Sequence, residues 1–271
     1  MTLDGTNSYV LSAPESAALV VVDPGPHLDS HLAQLAATGA VELILITHHH
    51  GDHTDGSAAL HELTGAPVRA ARAEFCHNSE PLYDGELIQA AGLTIEVLAT
   101  PGHTSDSVCF AISAELPQLP DQPAHPDQPA HPDQRTEQMV LTGDTILGNS
   151  STVICYPDGT LADYLTTLAT LRSWGEEKGT EGNPVAGLPG HGPVLVDISA
   201  AALAYQNHRG ERIAQVRNVV EYLAKENGST PSVEAVTAVV YGDIPANLEP
   251  AARLSVEAQL HYIKNGGTVG L

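Results

Sequence analysis

The 271 residues predict an α/β fold with a helical C-terminal appendage. Three observations carry that expectation. Apolar, β-branched runs of strand length alternate with stretches whose apolar residues recur at helical spacing. Short Gly-rich segments bearing His or Asp follow several of the strand-like runs, where sheet proteins usually build sites. From Ser199 onward the texture changes, and three helical patterns follow one another.

In chain order, Ser8–Leu11 and Ala17–Asp23 read as strands joined by the turn-forming SAPES, and so as a hairpin. Asp23 closes the second strand in VVDPGP, either as a turn former before Pro-Gly or as a carboxylate that orients a ligand histidine. His27–Thr38 sets Leu28, Leu32 and Leu35 at helical spacing and stops at Gly39. Val41–Thr47 has the composition of a buried strand, Gly56–Leu63 of a short helix and Val68–Ala70 of a short strand; residues 71–90 give no clear pattern. Leu93–Ala99, Ser107–Ser113, QMVL before Asp144 and NPVAGL before His191 supply further strands. Pro120–Gln134 repeats a six-residue unit, PDQPAH, without apolar periodicity. With its flanks (116–136) it is expected to be a disordered low-complexity loop. Gly159–Trp174 places Leu161, Leu165, Leu168 and Leu171 on one helical face. Helices are expected over Ser199–Glu226, Pro231–Tyr241 and Leu248–Lys264. With the closing TVGL they read as a winged-helix-like unit, which divides the chain into 1–198 and 199–271.

The chemistry concentrates in THHHGDHTDG, Thr47–Gly56. It reads H-x-H-x-D-H and offers His48, His50, Asp52 and His53 at the C-terminal end of a strand. His48 and His50 can face one point while Asp52 and His53 turn towards another, an arrangement suited to two metal ions. Imidazole with one carboxylate is a zinc-type set that also admits manganese or iron. Two metals need more ligands. His103 in TPGHTSDS, Asp144 in LTGDTIL and His191 in GLPGHGP each follow an apolar run and sit among glycines.

With HHHGDH, PGHTSDS, GDT and PGHGP in this order, the chain resembles the metallo-β-lactamase-fold hydrolase superfamily. That resemblance implies an αββα sandwich, two β-sheets flanked by helices. It also implies one Zn2+ held by His48, His50 and His103 and a second held by Asp52, His53 and His191, with Asp144 bridging. GDTILG, DGTLADYL, PGHGPVL and the HR-x-x-R of His208, Arg209 and Arg212 make it similar to the lactamase-beta-like-2 branch, which includes zinc-dependent endoribonucleases acting on single-stranded RNA. Relatives usually carry one more strand before the GTN stretch, so a shortened start is expected here.

The expected reaction is hydrolysis by a hydroxide bridging two metals, with Asp52 and Asp144 steering its proton. Single-stranded RNA stands ahead of a small acyl or phosphoester substrate, and His208, Arg209 and Arg212 are the candidate substrate residues. A glyoxalase-II-like thioesterase is the alternative. Those enzymes share the seven ligands but usually carry a second histidine where this chain has Ser107. A non-enzymatic RNA-binding module leaves seven intact ligands unexplained. No cysteine stands in GDT, so penicillin cleavage is at most a side activity. The formal charge is −22, nearly all of it before residue 200, which opposes phosphate backbones at long range. Cys76, Cys109 and Cys155 form no C-x-x-C, and MTLDGTNSYVL lacks the layout of a signal peptide. With no apolar run of membrane-spanning length, a cytoplasmic protein is expected.

Overall fold

A computed structural model describes residues 5–115, 136–180 and 182–267. The PDQPAH repeat and TVGL lie outside them. The described chain forms two sheets and a set of helices. The first sheet has the order β1-β2-β3-β4, from Tyr9–Leu11, Ala18–Val22, Ala40–Leu45 and Val68–Arg69. β1 and β2 pair antiparallel, as the expected hairpin, whereas β3 joins β2 in parallel and β4 joins β3 in parallel. Parallel pairing needs a crossover. The helix α1 (Asp29–Ala37) supplies the one between β2 and β3, and Leu32 and Leu35 on its apolar stripe are buried. Between β3 and β4 run the single turn α2 (Gly51–Thr54) and α3 (Ser57–Thr64), which Gly65 ends in the left-handed region at φ +75. Val21, Ile44, Ile46, Leu60 and Val68 join those leucines in one core.

The second sheet has the order β5-β6-β7-β8-β9, from Leu87–Ala90, Leu93–Ala99, Val108–Glu115, Thr136–Gly143 and Ala186–Pro189. β6 alternates buried and half-buried residues along most of its length, as a strand covered mainly on one face does. Residues 71–90 resolve into a short 3-10 turn at Ala73–Phe75 and then β5, whose LIQA alternates exposed and buried. Arg69 is bound there by both Glu86 carboxylate oxygens, at 2.6 and 3.0 Å.

The helix α4 spans Leu161–Lys178, capped by Thr160, and buries Leu161, Leu168, Leu171 and Tyr164. The helix α5 is Ile198–Asn227. The Asp197 side chain accepts from Ser199 N and Ala200 N, and its hydrogen bond with the Ser199 side chain is the main reason its carboxyl is held below the usual range. The helices α6 (Val233–Val240) and α7 (Glu249–Lys264) pack on α5 around Val216, Val236 and Val256. The C-terminal helices are therefore present, and among the described residues no strand follows α5. Contacts group residues up to 98 with 109–141 into one compact unit, and 99–108 with 142 onward into another. Among the described residues no helix is long and apolar enough to cross a membrane.

Gly159 sets a tight constraint in the second unit. A Cβ there would lie 2.2 Å from the Gly102 carbonyl oxygen and 2.3 Å from that of His103. Gly159→Ala is expected to destabilise the chain by about 1–3 kcal/mol or more, because backbone must move to admit the methyl group. A urea titration should show the lowered midpoint.

Candidate metal centre

The strand β3 ends at Leu45, and Ile46 and Thr47 carry the chain to His48, buried at 2% exposure. His50 precedes α2 with extended backbone, and the first turn of that helix carries Asp52 and brings the His53 ring to 4.3 Å from that of His48. The six-residue motif is thus half extended segment and half helix. His48 Nε2 lies 3.1 Å from His50 Nδ1, so the two rings converge on one point.

Asp23 organises this loop. It is 2% exposed and follows β2. Oδ1 accepts from the Thr47 backbone N–H at 2.8 Å, and Oδ2 accepts from the Thr47 hydroxyl at 2.7 Å. Oδ2 also lies 2.8 Å from His53 Nδ1. These bonds set the tautomers. Asp23 accepts from His53 Nδ1–H, which places the lone pair on Nε2. Since the Thr47 hydroxyl gives its proton to Asp23, it accepts from His48 Nδ1–H at 3.1 Å, and the His48 lone pair is also on Nε2. One carboxylate fixes two candidate ligand rings, one directly and one through Thr47. Asp52 Oδ2 accepts from the Thr6 hydroxyl at 3.0 Å.

In the second unit, His103 is buried and its Nδ1–H donates to the Val153 carbonyl at 2.6 Å, again leaving Nε2 as the acceptor. Cys155 N donates to the His103 carbonyl at 3.0 Å. The Thr152 hydroxyl donates to the Asp144 carbonyl at 2.6 Å. An Asp144 carboxylate oxygen lies 3.4 Å from His191 Nε2 and 3.8 Å from His103 Nε2. Gly148 N donates to the His191 carbonyl at 2.9 Å.

Each unit gathers its own ligand-capable side chains: His48, His50, Asp52 and His53 in the first, and His103, Asp144 and His191 in the second. The donor set fits a dinuclear centre on its chemistry. Imidazoles and carboxylates converge in largely buried positions, and for His48, His53 and His103 the other ring nitrogen is bonded to a hydroxyl, a carboxylate or a carbonyl.

The candidate substrate residues lie on α5 in different surroundings. Arg209 is 3% exposed; its Nη2 donates to the Thr152 carbonyl and its guanidinium lies 5.1 Å from the centre of the Tyr164 ring. Arg212 rests 4.5 Å over the Tyr241 ring. Arg212 and His208 line a groove of about 550 Å3 with Ser150, Ser151, Tyr205 and Tyr241. Burial, then Arg209 and Arg212, hold the His208 imidazole below its ordinary pKa, favouring the neutral ring.

Sequence reasoning missed Thr6, Thr47, Thr152 and Val153. Thr47 had one usable signal, its place directly before H-x-H; Val153 acts through its backbone, which no residue type marks. Asp23→Asn keeps the shape and tolerates the backbone at φ +50, but it replaces a full acceptor with an amide. Zinc affinity, measured by competition with a chromophoric chelator, is expected to fall roughly 10–100-fold.

The model of the metallo-beta-lactamase superfamily matches residues 1–178. The atrochrysone carboxyl ACP thioesterase of Aspergillus chevalieri is 28% identical over 258 residues, covering 92% of this chain and 72% of that protein. The beta-lactamase-like protein 2 homolog of Caenorhabditis elegans is 28% identical over 281 residues, covering 99% and 81%. Among solved structures, a beta-lactamase domain protein from Burkholderia ambifaria superposes with a TM-score of 0.71 at 17% identity, covering 98% of this chain and 84% of that one. A metallo-beta-lactamase family protein from Thermus thermophilus gives 0.68 at 20%, covering 97% and 89%. With the family model spanning well over half its length and a His/Asp cluster fit for metal, the chain belongs to the metallo-beta-lactamase superfamily, as a metallo-hydrolase of that fold.

Proposed function

We propose that this chain hydrolyses acyl thioesters with a dinuclear metal centre, zinc being the ion its ligand chemistry suits. The observation that carries the reading is the gathering of His48, His50 and His53 after β3, with Asp144 close to both His103 and His191 in the second unit. In this reading His48, His50 and His103 hold one ion, Asp52, His53 and His191 hold the other, and Asp144 is shared. Divalent ions at these positions supply Lewis acidity towards an acyl oxygen and make water a nucleophile near neutral pH.

The chain's own residues do the rest. Asp23, Thr47 and Val153 hold three imidazoles in the tautomer that presents Nε2. Asp52 and Asp144 hold the proton released by the attacking water. The groove of His208 and Arg212 receives part of the substrate, and Arg209, turned inward, supports the loop below it. A thiol of pKa about 8.5 leaves as thiolate without a proton donor, so the ligand set suffices for a thioester. An alkoxide leaving from RNA is far more basic and needs a metal or an acid to stabilise it.

The thioester substrate is preferred over single-stranded RNA on two further grounds. A relative matched along 92% of this chain is named an ACP thioesterase, and the formal charge of −22 disfavours a polyanion. A winged-helix-like unit over residues 199–271 is not needed for this reading.

Zinc-loaded protein is expected to cleave an acyl N-acetylcysteamine thioester. Chelation or His103→Ala should lower kcat/KM by about three orders of magnitude, the loss of roughly 4 kcal/mol of transition-state stabilisation. Cleavage of a fluorescent single-stranded RNA with no thioester turnover would overturn the proposal in favour of an endoribonuclease.

A further inference from the structure

Arg209 is a buried cation that the reaction does not use. Its Nε has no hydrogen-bond partner, and its Nη2 donates to the Thr152 carbonyl. Burying a guanidinium with a donor unfilled is costly, and an apolar side chain of similar volume would fill the same space at lower desolvation cost. What an apolar replacement cannot do is hold that carbonyl. The carbonyl belongs to a segment bonded to two candidate ligands. Thr152 Oγ1 donates to the Asp144 carbonyl at 2.6 Å, and the next residue, Val153, accepts the His103 Nδ1 proton at 2.6 Å. Tyr164, whose ring lies under the Arg209 guanidinium, donates its hydroxyl to the Thr145 carbonyl at 2.6 Å. Tyr205, one turn before Arg209 on α5, accepts from Leu147 N at 3.0 Å and donates to the Ser150 carbonyl at 2.8 Å.

We infer that Arg209 is a positioning residue for the metal centre: from α5 it clamps Thr152, and through Thr152 and Val153 it fixes Asp144 and the His103 ring. The inference rests on the metallo-hydrolase reading and deepens it, because it joins the C-terminal helix to metal retention. The sequence pattern alone had set Arg209 beside Arg212 as a substrate contact. The path from Arg209 to both ligands runs through three direct bonds, and all its residues belong to one compact unit of the chain.

The test uses the full chain loaded with Co2+, whose visible spectrum reports ligand geometry. Arg209→Met keeps the volume and removes the fork; Arg209→Lys keeps the charge and one donor. Expected for Arg209→Met are an altered cobalt spectrum, release of Co2+ to EDTA accelerated roughly tenfold, and a fall in kcat with KM little changed. Arg209→Lys should restore part of each. Should Arg209→Met not fold, Thr152→Val removes the link to Asp144 without touching α5 and should accelerate release in the same way. Parent-like spectrum and release in the variant tested, or a rise in KM alone, would overturn the inference and return Arg209 to the substrate. A parent chain that takes up no Co2+ would instead overturn the underlying reading.

Discussion

The carboxylate of Asp23, and the three hydrogen bonds it accepts, is the constraint on which the histidine loop depends. A buried carboxylate is tolerated only when its oxygens are filled, and here the donors are the groups that must be held still. The register of the first sheet makes this possible. Val22 stands opposite Leu45 in the parallel pair, so the residue that follows Val22 emerges beside Ile46 and Thr47. The Asp23 N–H donates to the Leu45 carbonyl at 2.9 Å, extending the ladder by one bond just as the backbone turns to positive φ. Strand pairing, a left-handed residue and ligand orientation are thus one arrangement. A slip of one residue between β2 and β3 would point the carboxylate to the opposite face.

Much of this was legible in the sequence because it is written in side chains. H-x-H-x-D-H announces itself, and the Gly-His and Gly-Asp segments after apolar runs follow from where sheets build sites. The hairpin, α1, α3, α4 and the three C-terminal helices were readable from periodicity and Gly stops. What escaped acts through the backbone or against local pattern. The Val153 carbonyl has no signature. β5 is four residues long with only Ile88 and Ala90 turned inward, too short to stand out in a polar stretch. Arg209 is the instructive case. Three residues before Arg212, it reads as half of an outward pair, yet α5 turns its Arg209 position inward, in the company of Gly210 and Ile213. A cation in the sequence is not yet a cation on the surface.

Charge bears on substrate more than on fold. The acidic excess is concentrated before residue 200, and two divalent ions would offset only about four of those charges locally. Long-range steering therefore works against extended anions and leaves compact or neutral acyl groups as the easier visitors. Leaving-group chemistry favours the same proposed substrates.

The segment from Asp144 to Cys155 has a further meaning for anyone who wishes to redirect the enzyme. Both its ends are fastened to candidate ligand residues and its middle is fastened to two helices, while Ser150 and Ser151 stand exposed in the adjoining groove. Its length is therefore a fixed quantity. A library that varies loop length here would unseat the ligands in nearly every member, whereas one that varies the side chain at Ser151 explores new specificities on an unmoved scaffold. The same bonds that hold the segment confine its adaptability to a few outward-facing positions.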